Sequence, residues 1–186
     1  MMTRLRISDQ TGWLGKHMTD DNTMRAMTVP HFGRPEVLTR VEGPIPQPDV
    51  GEVLIKQEAI GVNFVDLNHR AGTPYPMTVP FVPGIEAVGR VISVGQNVST
   101  DWSDTYVGYA GAMPGAYASH VVISQDDLVR IPESVPAQRA AAMLMQGMTA
   151  YYLSHLVTDC RPNDCVLVHA AASGVGRHLA RWLKAK

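Results

Sequence analysis

The run Cys165-Val166-Leu167-Val168-His169-Ala170-Ala171-Ala172-Ser173-Gly174-Val175-Gly176, continued by Arg177-His178-Leu179-Ala180-Arg181-Trp182-Leu183, constrains the fold more than any other stretch of this chain. Its apolar start reads as a buried strand beginning at Cys165, its small residues as a tight turn, and its end as an opening helix. A helix N-terminus leaves backbone N–H groups unpaired and carries partial positive charge, and small turn residues let an anion approach the main chain. The turn therefore suits a nucleotide pyrophosphate. In the fingerprint G-x-G-x-x-G the three glycine places fall on Ala171, Ser173 and Gly176, with Gly174 added inside. Ser173 brings bulk to the middle place, but also a hydroxyl able to donate to phosphate.

Only ten residues follow Gly176. A crossover to a next parallel strand takes roughly a dozen residues or more, and the residue that reads the adenosine ribose is expected about 20 residues past the turn, beyond Lys186. The expectation is one complete domain and the first piece of a second. Residues 1–23 are polar and lack sustained periodicity, which reads as a flexible extension; 24–146 form the first domain and 147–186 the start of the second.

Short alternating runs punctuated by proline and glycine predict strands at 24–29, 53–56, 87–94, 117–123 and 128–131, the pattern of a small, partly closed β-barrel. Pro136 and the alanines after it predict a helix over 136–143, and a second helical run follows Gly147, from 148 to about 157. The fold class is thus an α+β barrel domain followed by the first β-turn-α unit of an α/β domain. Hydrophobic residues at 45%, charged residues at 18% and a net charge of −1 supply a core without a strong attraction to nucleic acid or membrane surfaces. With no apolar run of signal-peptide or bilayer-spanning length, the default location is cytoplasmic. Cys160 and Cys165 flank a Pro162-Asn163-Asp164 turn and read as reduced structural thiols.

Six segments in order carry a family resemblance: Met24-Arg25-Ala26, Phe32-Gly33-Arg34-Pro35-Glu36-Val37-Leu38, Gly61-Val62-Asn63-Phe64-Val65-Asp66, Pro83-Gly84-Ile85-Glu86-Ala87-Val88-Gly89, Gln146-Gly147-Met148-Thr149-Ala150-Tyr151-Tyr152-Leu153 and His169 to Gly176. Over 24–186 the chain resembles the N-terminal half of the quinone oxidoreductases (NADPH:quinone reductases, zeta-crystallin-like) of the medium-chain dehydrogenase/reductase superfamily. The resemblance implies a GroES-like barrel and then a Rossmann domain binding NADPH, with hydride passing to a quinone or another activated alkene or carbonyl. It also implies a homodimer in the full-length form, and a C-terminal segment that returns to the barrel domain.

Zinc-dependent members of the superfamily place a cysteine where this chain has Asn63 and a histidine where it has Ile85, and two cysteines are too few for their cysteine-rich lobe. The reading is a zinc-independent enzyme with no metal site. Without zinc, hydride transfer needs positioning, a dry cleft and a donor for developing charge. By resemblance Asn63 lies beside the cofactor and Tyr75 beside the substrate; by residue type alone Asn63 also reads as a loop cap and Tyr75 as an aromatic wedge in a proline loop. Asp66 reads as a carboxylate that fixes backbone. The resemblance gives Gln146 and Thr149 contacts to the nicotinamide side, within a segment that also reads as a turn between helices; glutamine replaces a common lysine, so no phosphate contact is carried over for it. Ala171, Ser173, Gly174, Val175 and Gly176 complete the candidate cofactor set, and His169 reads as a residue packed beside the turn.

Two other readings stay open. An enoyl-thioester reductase of the same superfamily would use the same barrel and turn, and a truncated binding or structural remnant would use neither for catalysis. The 186-residue chain itself is expected to form no stable nucleotide domain and to oxidise no appreciable NADPH.

Overall fold

The computed structural model describes residues 23–111 and 114–186. They divide into two compact units, one ending at Ala141 and the other running from Ala142 to Lys186. The expected boundary lay later, between 146 and 147. Residues 1–22 of the expected extension lie outside the described residues; Thr23 belongs to the first strand.

The first unit is built on antiparallel strands. β1 (Thr23–Thr28) pairs with β2 (Thr39–Pro44), with Ala26 opposite Val41. A second sheet has the order β6-β3-β4-β5-β7, formed by β3 (Glu52–Ile60), β4 (Glu86–Val94), β5 (Tyr106–Ala110), β6 (His120–Ser124) and β7 (Val129–Arg130). An isolated bridge between Ala26 and Ala118 joins β1 to the segment leading into β6, so the barrel is partly closed. Two register shifts in β3 against β4, at Leu54/Ile55 and Gln57/Ala59, bend the long strands around the core. That core gathers Val53, Ile55, Ala87, Val91, Val107, Tyr109, Val121 and Ile123, the inward-facing residues of the five-stranded sheet. A smaller cluster of Met24, Ala26, Val41, Val82 and Ala118 lies under β1 and β2.

Between β3 and β4 the chain forms α1 (Phe64–Ala71), a helix absent from the sequence-based expectation. Two strands were missed as well. β5 is buried at four of its five positions and so lacks a two-residue alternation, while β2, Thr-Arg-Val-Glu-Gly-Pro, is mostly polar. After β7, α2 (Ala137–Ala141) begins directly behind Pro136, whose carbonyl accepts from the N–H groups of Arg139 and Ala140.

In the second unit α3 (Leu144–Tyr151) runs on into a π-helical turn, Tyr152–Val157. Helix therefore starts ahead of Gly147 rather than after it. α4 (Gly174–Ala185) packs on this stretch through ring contacts: Tyr151 stacks on His155 at 4.4 Å, and Trp182 stands edge-on to both at 6.1 and 6.2 Å. The Lys186 ammonium donates to the Ser154 carbonyl at 3.2 Å.

The buried strand expected from Cys165 does not form. Residues 165–168 form no strand and have no ladder partner among the described residues, Leu167 is 80% exposed, and both cysteines are unpaired, Cys165 exposed. A parallel strand buries its backbone groups only by pairing on an adjacent strand, and none is within this unit. His169 is likewise exposed rather than packed. No helix among the described residues is long and apolar enough to cross a membrane.

Candidate functional site

The candidate residues fall in both units, each of which forms a local arrangement of its own. In the second, Ser173 is the N-cap of α4, in extended backbone conformation, and its hydroxyl oxygen accepts from the Gly176 N–H at 3.1 Å. The hydroxyl thus secures the helix start, in addition to being placed at its positive end. Gly174, Val175 and Gly176 form the first turn, where N–H groups have no intrahelical partner. The turn before them is tight: Ser173 N–H donates to Ala170 O at 2.8 Å, and Ala170 adopts a φ of 51°.

Gly176 is the one described residue of this turn and first helical turn that is fully buried, and the reason is close backbone approach. A Cβ built on it would stand 2.2 Å from Ala170 O and 2.8 Å from the Cα of Ala171. No side chain fits there, which is the role the third glycine has in a dinucleotide turn. Gln146, on α3, comes to the same place: its amide lies where a Cβ on Gly174 would be, 2.1 Å from Oε1. The structure therefore brings Gln146, Gly174, Ser173 and Gly176 together. Thr149 is on the same helix rather than in a turn, with its hydroxyl donating to Met145 O at 2.7 Å. Ala171 lies exposed in the turn.

In the first unit Asn63 is the N-cap of α1. Its N–H donates to Asp66 Oδ2 at 2.8 Å, its carbonyl accepts from the Asp66 N–H at 3.1 Å, and its side-chain Nδ2 donates to Glu86 Oε1 at 2.6 Å. Asp66 fixes backbone, as its residue type suggested, but on a helix rather than a loop. The Tyr117 hydroxyl donates to the same Asp66 oxygen at 3.1 Å, while Asp66 Oδ1 and His69 Nδ1 are buried without a hydrogen-bond partner. Burial pushes the Asp66 carboxyl above the ordinary carboxylate range, against the pull of the Asn63 N–H, Tyr117 and His69. Burial, followed by the charge and hydrogen bond of Asp66, also pushes the Tyr117 phenol up.

Two members of this arrangement were missed in the sequence. Glu86 is 1% exposed at the start of β4, and Tyr117 donates to Asp66 from the segment before β6. The signal for Glu86 was available, since a lone carboxylate in an apolar strand-like run must be paired to be buried. Around Asn63 the surface is apolar, with Val62 70% and Phe64 77% exposed. An open cleft of about 550 Å³ lies alongside, lined among others by Arg25, Gln57, Glu58, Ile60, Val62 and Tyr117. Asn63 does not line it. Tyr75, 58% exposed in the loop after α1, is not wedged into a core. Among the described residues no three His, Cys, Asp or Glu side chains cluster as metal ligands would.

A barrel of this kind, followed later in the sequence by a glycine-bearing turn and helix, defines a class. Residues 49–133 match the alcohol dehydrogenase GroES-like domain. The chain is 37% identical over 153 residues to quinone oxidoreductase 1 of Escherichia coli, covering 82% of this chain and 47% of that protein. It is 35% identical over 161 residues to a 2-haloacrylate reductase of a Burkholderia species, again over 82% of this chain and 47% of the relative. Among solved structures, an Escherichia coli quinone oxidoreductase complexed with NADPH superposes with a TM-score of 0.83 at 35% identity, over 87% of this chain and 49% of that one. Over its matched length the chain is similar to quinone oxidoreductases and related reductases, and it spans about half the length of the curated relatives it matches.

Proposed function

We propose that this chain carries the acceptor side and the pyrophosphate turn of a zinc-independent oxidoreductase that transfers hydride from NADPH to a quinone or related electrophilic acceptor. The observation that carries the reading is the backbone cradle at Gly176, too close to Ala170 O for any side chain and opening on the N-terminus of α4. A cradle of this shape and polarity fits a pyrophosphate. NADPH, when bound, supplies the hydride. The first N–H groups of α4, from Gly174 and Val175, hold the anion, and Ser173 keeps that turn in register through its bond to Gly176. Gln146, seated on Gly174, limits where the cofactor chain can run. Asn63 offers its amide to the nicotinamide side. Tyr75, exposed beside α1, offers a phenol to the acceptor. The exposed Val62 and Phe64 provide the apolar surface on which a quinone ring can lie and water is excluded.

The zinc-independent assignment rests on Asn63 and Ile85 standing where zinc-dependent members carry ligands. Similarity to a 2-haloacrylate reductase favours a second acceptor class, activated alkenes, on the same site. The enoyl-thioester reading belongs to that class. A homodimer is part of the proposal through the family resemblance, and sedimentation equilibrium reads it directly.

The test is a chimera in which this chain is continued by the part of the Escherichia coli relative that it does not span. It should oxidise NADPH with benzoquinone as acceptor, without added zinc and insensitive to chelators, whereas the 186-residue chain alone should not. Asn63→Ala should lower turnover or nicotinamide affinity and Tyr75→Phe should alter acceptor kinetics. A folded chimera that reduces neither benzoquinone nor a 2-haloacrylate sinks the enzymatic reading and leaves a binding or structural remnant.

A further inference from the structure

We propose that Glu86 is a positioning residue for Asn63: it holds the Asn63 side-chain amide in the one orientation in which Oδ1 faces the cofactor, an inference that rests on the role proposed above for Asn63. The main chain and side chain of Asn63 are anchored by two different carboxyl groups. Asp66 takes the Asn63 N–H at 2.8 Å, and Glu86 Oε1 takes Nδ2 at 2.6 Å. The first bond belongs to the helix start and would form with any residue but proline at position 63. The second is specific to an amide.

Glu86 Oε1 serves as the acceptor in this bond, so Nδ2 rather than Oδ1 is the atom of the amide turned inward. Oδ1 and the second Nδ2 hydrogen are then directed away from Glu86. The expectation from sequence treated Asn63 as a donor toward developing negative charge; with one amide hydrogen spent on Glu86, the amide presents an acceptor as well. An acceptor is what a carboxamide NH2 on a nicotinamide ring needs.

The backbone is shaped to allow this. Gly61 N–H donates to Glu86 O at 3.2 Å, which brings the two chains together just before Asn63. A Cβ on Gly61 would stand 2.2 Å from Glu86 Oε1 and 2.4 Å from its Cδ, so the carboxyl reaches Asn63 through space that only glycine leaves. Glu86 is 1% exposed, and burying a carboxyl group is costly unless its partners are fixed. Its position in β4, opposite Ala110 of β5 and one residue from the Ala87–Ile60 pair, places it on a rigid sheet.

The test is a double-mutant cycle on NADPH kinetics in the chimera described above, with the Asn63 side-chain amide followed by NMR in the 186-residue chain. Glu86→Ala should lower kcat/KM for NADPH by roughly tenfold, the scale of one buried hydrogen bond whose partner is left unsatisfied. Adding Glu86→Ala to Asn63→Ala should then cost little further. Glu86→Gln, which keeps an acceptor, should restore most of the loss and shift the Asn63 amide resonances without unfolding the barrel. Fully multiplicative losses in the double mutant, with Asn63→Ala still damaging, overturn the positioning role alone. A neutral Asn63→Ala overturns the role of Asn63 and this inference with it.

Discussion

Asp66 shows how much one side chain can do without chemistry of its own. It fixes the start of α1, receives Tyr117, and keeps one oxygen buried with no partner. Its carboxyl is raised by burial, so the folded protein holds a proton on it over a range above the ordinary value of 3.8 in which the unfolded chain has released it. The sign follows: this contribution is fully present below the unfolded pKa and is lost as pH rises through the folded one. Asp66→Asn, whose amide oxygen can still accept from Asn63 N–H and Tyr117, should remove that loss. Thermal melts from pH 4 to 7 should converge for the two proteins at the acid end and favour the variant at neutrality; a variant less stable throughout would show that the ionised carboxylate is needed. Of this neighbourhood, Asn63 was legible as a capping residue and Asp66 as a carboxylate that fixes backbone, though as parts of a loop rather than of the helix they begin. Glu86 was legible only as a carboxylate in need of a partner, and neither that partner nor Tyr117 was, because the pairs are distant in sequence.

At the scale of elements, the turn and α4 were read correctly from small residues and period, and the strand before them was not. Local chemistry is enough to make a turn and a capped helix: Ser173 and the first-turn glycines act within a few residues of each other. A strand needs a partner, and Val166 and Leu167 have none among the described residues. α1 escaped notice because its exposed Phe64 and Leu67 give no inward apolar stripe. Ser173→Ala should destabilise α4 by about 1 kcal/mol, the usual worth of an N-cap. Gly176→Ala should cost more, on the order of 1–3 kcal/mol, because its Cβ meets backbone rather than a movable side chain. Both are measured by denaturant titration of circular dichroism; equal losses would mean that the turn opens freely to admit the methyl group.

At the scale of the whole molecule, the chain holds a barrel with a formed core and, after it in sequence, a helical unit with an unpaired segment at 165–168. Hydrogen exchange should separate them: amides of β3 and β4, bonded across a buried sheet, should exchange slowly, and those of 165–168 at nearly the rate of an unstructured peptide. Strong protection at 165–168 would require a pairing partner, which a second copy of the chain could supply. The exposed thiol of Cys165 sits at the head of that segment. A strand drawn into a sheet would carry it inside, which turns an ordinary cysteine into a chemical gauge. Maleimide should label Cys165 in this chain about as fast as in urea and far more slowly in the chimera, so alkylation followed by mass spectrometry would report, molecule by molecule and even in a crude extract, whether the nucleotide domain has assembled.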